Sequence, residues 1–121
     1  ATVFIIFTVP QAEISKPRTI IGGYVVSTII GLLGFYTAQL EINEIIFNSS
    51  AVPIIVFGAL TVGIAMFVMV ITDTEHPPAT GLALALFINE WDLQTLIIII
   101  LLVVLLAVIK NLIKPYLINL L

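Results

Sequence analysis

Eleven charged side chains in 121 residues fall into five short clusters, and the uncharged stretches between them decide what kind of protein this is. Glu13, Lys16 and Arg18 form the first cluster and Glu41 and Glu44 the second. Asp73 and Glu75 form the third, Glu90 and Asp92 the fourth, Lys110 and Lys114 the last. Thr19 to Leu40 is a run of 22 uncharged residues, roughly 33 Å of helix at about 1.5 Å per residue and long enough to cross a bilayer. Pro53 to Ile71 is a second run of 19 residues, with a proline where a helix starts well. Leu93 to Ile109 is a third, almost pure Leu, Ile and Val. Only 9% of the chain is charged and 61% is apolar, whereas a soluble domain carries roughly 25% charged residues. Eleven charges cannot cover the surface of a soluble globule of this size. The same balance excludes a disordered chain, and four basic residues make nucleic acid a poor partner. With no cysteine there is no disulfide, thiolate metal site or cysteine nucleophile. The expected fold is all-α: a polytopic transmembrane helical bundle in the cell membrane, with residues 1–121 as a single domain.

Two segments are too short to span. The opening ATVFIIFTV has no basic region before it, so it does not read as a signal peptide. It reads as the tail of a first helix whose beginning is absent. His76 to Ile88 is apolar but only 13 residues long, and Pro77 and Pro78 require a helix to start there afresh. This short segment either crosses or turns back. If it crosses, Lys16, Arg18, Lys110 and Lys114 share one face, which the positive-inside rule makes cytoplasmic. Glu41, Glu44, Glu90 and Asp92 then share the other, with Trp91 as an interfacial anchor and the sequon Asn48-Ser49-Ser50 outside. Crossing is the preferred reading, with spans near 19–40, 53–71, 76–88 and 93–109.

Small residues mark the inner helices. Gly23, Ser27 and Gly31 recur every four residues, followed by Gly34 and Ala38, and the short segment carries Ala79, Gly81, Ala83 and Ala85. Such spacing lets helices approach closely in lipid; it serves packing, a narrow pathway, or both. Polarity, proline and membrane depth coincide at two stations, SKPRTIIGGYVVS (Ser15 to Ser27) and TDTEHPPAT (Thr72 to Thr80). Each begins a helix, and helix starts attract anions through free N–H groups. Lys16 and Arg18 serve either as topology markers or as attractors for an anion. Ser15 and Thr74 serve as N-caps or line the site. His76 is the sole histidine, and its ordinary pKa suits proton coupling. An enzyme is not expected: Asp73, Glu75 and His76 crowd one helix start, with no second histidine and no HExxH pattern.

TEHPPATGLALA resembles the signature of the HPP family of integral membrane proteins, in which His-Pro-Pro opens a short Ala- and Gly-rich helix. VPQAEISKPRTIIGGYVVSTIIG resembles the second marked region of that family, a proline turn leading to Q-P-R and then G-G-H. Pro10, Pro17, Arg18, Gly22, Gly23 and Ser27 fit the pattern, while Lys16 stands where Gln is common and Tyr24 where His is common. The resemblance covers nearly the whole chain after the family's first membrane segment. It implies a transporter, and some members are described as nitrite transporters. The site expected on these grounds comprises Lys16, Arg18, Gly22, Gly23, Tyr24, Ser27, Thr74, His76, Pro77, Pro78 and Thr80, acting on a small anion without a metal or cofactor. Lys16 and Arg18 attract the anion, helix starts at Thr19 and Pro77 hold it, and His76 modulates it by protonation. So few helices imply a homo-oligomer. A structural or assembly subunit without transport is the alternative.

Overall fold

The computed structural model describes residues 1–38 and 52–119, which are helix and turn without a strand. Among the described residues five α-helices follow one another: α1 (Thr2–Thr8), α2 (Pro17–Ala38), α3 (Val52–Ile71), α4 (Thr80–Ile88) and α5 (Leu93–Ile113). Single 3₁₀ turns occupy Glu13–Ser15, Pro77–Ala79 and Lys114–Tyr116. Three helices are long and apolar enough to cross a membrane, and Pro77–Ile88 is a shorter apolar helix. Glu41, Glu44 and the sequon Asn48-Ser49-Ser50 lie outside the described residues.

Among the boundaries that differ from the sequence expectation, two lie beside charged residues. α2 starts at Pro17, two residues before Thr19. Proline costs nothing at a first helical position, since its missing N–H has no partner there anyway, and the Lys16 carbonyl accepts the Ile20 N–H at 3.0 Å. α5 runs through Lys110 to Ile113, past the expected end at Ile109. Lys110 lies on the inward face of that helix with Leu96, Val103 and Ala107, so its charge does not end the element.

α2 is the central helix, with α3 and α4 on one side and α1 and α5 on the other. Its buried stripe is Thr19, Ile20, Gly23, Ser27 and Gly31, while Val25, Ile29, Leu33 and Tyr36 point outward. This is the reverse of a soluble helix. Lipid solvates the large apolar side chains, so small residues take the helix contacts. A Cβ on Gly31 would lie 2.8 Å from the Ala83 carbonyl oxygen and 2.9 Å from its Cα, and one on Gly34 would lie 2.7 Å from the Thr61 hydroxyl. Gly23 meets Ala79, Gly31 meets Ala83 and Gly34 meets Phe87, so α4 runs parallel to α2. On the other side Ile6, Ile20 and Val103 form a core, with Tyr24 and Leu106 packed against it.

This packing sorts the charges between two ends. The α2 start lies beside the α3 end, where Arg18 meets Asp73 and Thr72. The chain's tail returns to the same end, where Asn119 Oδ1 accepts the Gln11 N–H at 3.0 Å. At the opposite end Trp91 stands edge-on to Phe35 and Tyr36, with ring centroids 6.2 and 6.1 Å apart. The basic residues therefore lie toward one end, and Trp91 with its acidic neighbours marks the other.

Asp92 caps α5. Its carboxylate accepts the Thr95 N–H at 2.6 Å and the Thr95 hydroxyl at 2.9 Å. These bonds hold the carboxyl below the ordinary carboxylate range. Their stabilisation is present above that range and is lost as pH falls through the lowered value. Asp92→Ala should therefore lower the thermal midpoint in detergent at neutral pH, and the gap from the parent chain should close in acid. An equal deficit at both pH values would sink the capping account.

Candidate functional site

The site is built on the turn between α3 and α4. α3 ends in a Schellman arrangement: the Thr74 N–H reaches the Met69 carbonyl at 2.9 Å and the Asp73 N–H reaches Val70 at 3.3 Å. Asp73 takes the left-handed position, φ 54°, which L-residues other than Gly, Asn and Asp rarely visit. Held there, its carboxylate pairs with Arg18 at 3.2 Å. His76 precedes the 3₁₀ turn Pro77–Ala79, whose prolines fix the start of the following helix.

Two glycines on α2 receive this turn. A Cβ on Gly22 would press on the Thr74 side chain, 2.9 Å from its Cβ. One on Gly23 would lie 2.7 Å from the His76 Cβ and 3.2 Å from the Thr74 carbonyl oxygen. Without Cβ atoms at both positions the backbone of the turn lies directly on the helix, and His76 is driven to 0% exposure.

Both imidazole nitrogens are engaged. Nδ1 is 2.9 Å from the Ile14 carbonyl oxygen, and a carbonyl can only accept, so Nδ1 carries hydrogen. In the neutral ring Nε2 then accepts, and its partner is the Thr2 hydroxyl at 3.0 Å. Having donated to His76, Thr2 Oγ accepts from the Tyr24 hydroxyl at 2.9 Å. The result is a directed chain, Tyr24 to Thr2 to His76 to Ile14, drawn from α1, α2 and the two turns. The Tyr24 and His76 rings also approach each other, with centroids 5.9 Å apart.

Two clefts are lined by residues of this turn and chain. One of about 280 Å³ is lined by Thr2, Tyr24 and Pro78, together with Leu102, Val103 and Leu106 of α5. A smaller one of about 50 Å³ lies across the turn, walled by Glu75, His76 and Pro77 with Met66, Met69 and Val70 of α3. Pro78 lines the first, and His76 and Pro77 line the second.

The remaining expected residues scatter around this centre. Lys16 pairs with Glu13 at 2.6 Å and Arg18 with Asp73, both pairs largely exposed, so neither cation is free at the mouth of the site. Ser15 and Thr74 are not N-caps: Ser15 Oγ donates to the Ile5 carbonyl at 3.3 Å, closing the end of α1, and Thr74 Oγ lies 2.8 Å from Thr72 Oγ. Thr80 Oγ donates to the Pro77 carbonyl at 2.7 Å. Ser27 is fully buried four residues beyond Gly23, and its hydroxyl has no hydrogen-bond partner among the described residues. Asp73, Glu75 and His76 do not converge, because Asp73 turns to Arg18 and both His76 nitrogens are taken. Thr2 and the Ile14 carbonyl were not foreseen. Thr2 stands out only as a hydroxyl in the apolar opening run, 74 residues from its histidine partner.

The family model described as "HPP, transmembrane region" matches residues 1–120. No curated protein and no solved structure matches the chain.

Proposed function

The chain belongs to the HPP transmembrane-region family of integral membrane proteins, and on that premise we propose that it moves a small inorganic anion, nitrite in the first instance, across the membrane it spans. The observation that carries the reading is the buried imidazole of His76, which lines one cleft and is joined through Thr2 to Tyr24 in the wall of another. A buried histidine in a membrane protein is a candidate for function, and imidazole exchanges protons near neutral pH. Lys16 and Arg18, already balanced by Glu13 and Asp73, supply a weak field at the entrance. Broken and short helices around a central site recur in transporters. We place the Lys/Arg end in the cytoplasm by the positive-inside rule. We take the working unit to be a homo-oligomer, since three long helices enclose little volume. No catalytic role is assigned.

Nitrite uptake into liposomes containing the full-length protein tests the reading. Uptake above empty liposomes that rises at the lower of two pH values is the expected result. Absence of uptake at both, from protein verified as folded and inserted, would transfer the weight to a structural subunit.

A further inference from the structure

Ser27 is fully buried, 0% exposed, in the middle of the α2 stripe that packs on α4. Its hydroxyl has no hydrogen-bond partner among the described residues. A serine or threonine inside a helix commonly donates to the carbonyl four residues back, as Thr28 does to Tyr24 at 2.8 Å. Ser27 does not donate to Gly23 in this way. The rest of the seam offers nothing in exchange: Gly23 meets Ala79 and Gly31 meets Ala83, one helical turn to either side, and none of the four has a polar side chain. Alanine would fill the same place without the cost of a buried, unmade bond. The cleft of about 280 Å³ is lined by Tyr24 and Pro78, the chain neighbours of Gly23 and Ala79, so it lies at the start of this seam. Ser27 stands one turn farther along, about 6 Å at 1.5 Å per residue. Beyond it the seam is closed, since a Cβ on Gly31 would lie 2.8 Å from the Ala83 carbonyl oxygen.

We propose that Ser27 is a contact for the transported anion, its hydroxyl donating to one oxygen of the anion when α4 parts from α2 at the start of the seam. The inference rests on the transport reading and adds a binding residue to it, apart from the His76 relay. The hydroxyl proton lacks an acceptor, so the partner must bring one. The positions flanking Ser27 along the seam are glycine and alanine, so the partner must also be small. A small oxyanion such as nitrite meets both conditions, and a hydrogen bond to a charged acceptor is stronger than one to a neutral group.

The sequence contains no cysteine, so Ser27→Cys places a single thiol in it at this point. The test is labelling of that thiol by a small anionic methanethiosulfonate in membranes carrying the full-length protein, read at the residue by mass spectrometry, with nitrite uptake by the parent chain measured alongside. The thiol should be labelled, and nitrite at about ten times its Kd should slow the labelling about tenfold. Ile29→Cys, on the outward face of the same helix at 53% exposure, should show no protection by nitrite. Absence of labelling at Ser27→Cys, or labelling that nitrite leaves unchanged, overturns the contact, and the parent's uptake then decides separately whether the transport reading stands. Protection without uptake by the parent keeps Ser27 as an anion contact and overturns transport. If Ser27→Cys does not fold, Ser27→Ala should raise the apparent KM for nitrite about tenfold or more, with a thermal midpoint equal to or above the parent's. An unchanged KM there overturns the contact, and absence of uptake by the parent overturns both readings.

Discussion

Gly31→Val should leave little folded protein. The new Cβ would sit 2.8 Å from the Ala83 carbonyl oxygen and 3.0 Å from the Leu86 Cβ. The first of these is backbone inside α4 and cannot rotate away, so α2 and α4 must separate. Overpacking in a well-packed core costs about 1–3 kcal/mol, and here parting the helices also breaks the contacts at Gly23 and Gly34 that continue the same seam. Gly63→Ala on α3 is the matched control, since its added Cβ meets nothing within 4 Å. There the better helix propensity of alanine should raise stability by up to about 1 kcal/mol. Size-exclusion profiles and thermal midpoints in detergent read both effects. A Gly31→Val protein as stable as the parent would mean that α2 and α4 do not pack along this seam.

His76→Ala should reduce anion uptake about tenfold or more, equivalent to roughly 1.4 kcal/mol on the barrier, and should remove the pH dependence of what remains. The same change leaves Thr2 with Tyr24 as its partner and takes from the partly buried Ile14 carbonyl a bond whose loss costs about 1–3 kcal/mol. Instability could therefore imitate lost function, and Thr2→Val separates the two. Valine keeps the shape of threonine and leaves the Nδ1 bond to Ile14 intact, while it cuts the link to Tyr24. Slower uptake in Thr2→Val at unchanged folded yield supports the relay. Full uptake in Thr2→Val with loss only in His76→Ala would reduce the chain to a single histidine, and full uptake in both would leave His76 a packing residue. Initial rates in liposomes, normalised to inserted protein, are the measurement.

The long helices were legible because a membrane enforces a simple rule: charge stays out of the apolar runs. The rule misplaced the end of α5, because Lys110 is buried by its neighbours and the helix continues around it. It also placed the α2 start at Thr19, where counting from Arg18 ignored that Pro17 opens a helix readily. His76 and Tyr24 were legible through motif and resemblance. The bond between them was not, because it passes through Thr2, and no local pattern marks a threonine as the partner of a residue 74 positions away. The small-residue stripe was legible as close packing or as a pathway wall. The distances at Gly22, Gly23, Gly31 and Gly34 show helices and turns in direct contact. Glu13 stands three residues from Lys16 in the chain, whereas Asp73, 55 positions from Arg18, reaches it where the chain turns through a left-handed residue.

The order of donors from Tyr24 through Thr2 to His76 and Ile14 has a sense, like an arrow. A proton arriving on Nε2 turns that nitrogen from acceptor to donor, and Thr2 and Tyr24 must then swing their hydrogens the other way. The arrow is reversed. The Ile14 carbonyl accepts a hydrogen bond but cannot take a proton on, so the imidazole loads and unloads through Thr2 and Tyr24 alone, with a tempo set by the rotation of two O–H bonds.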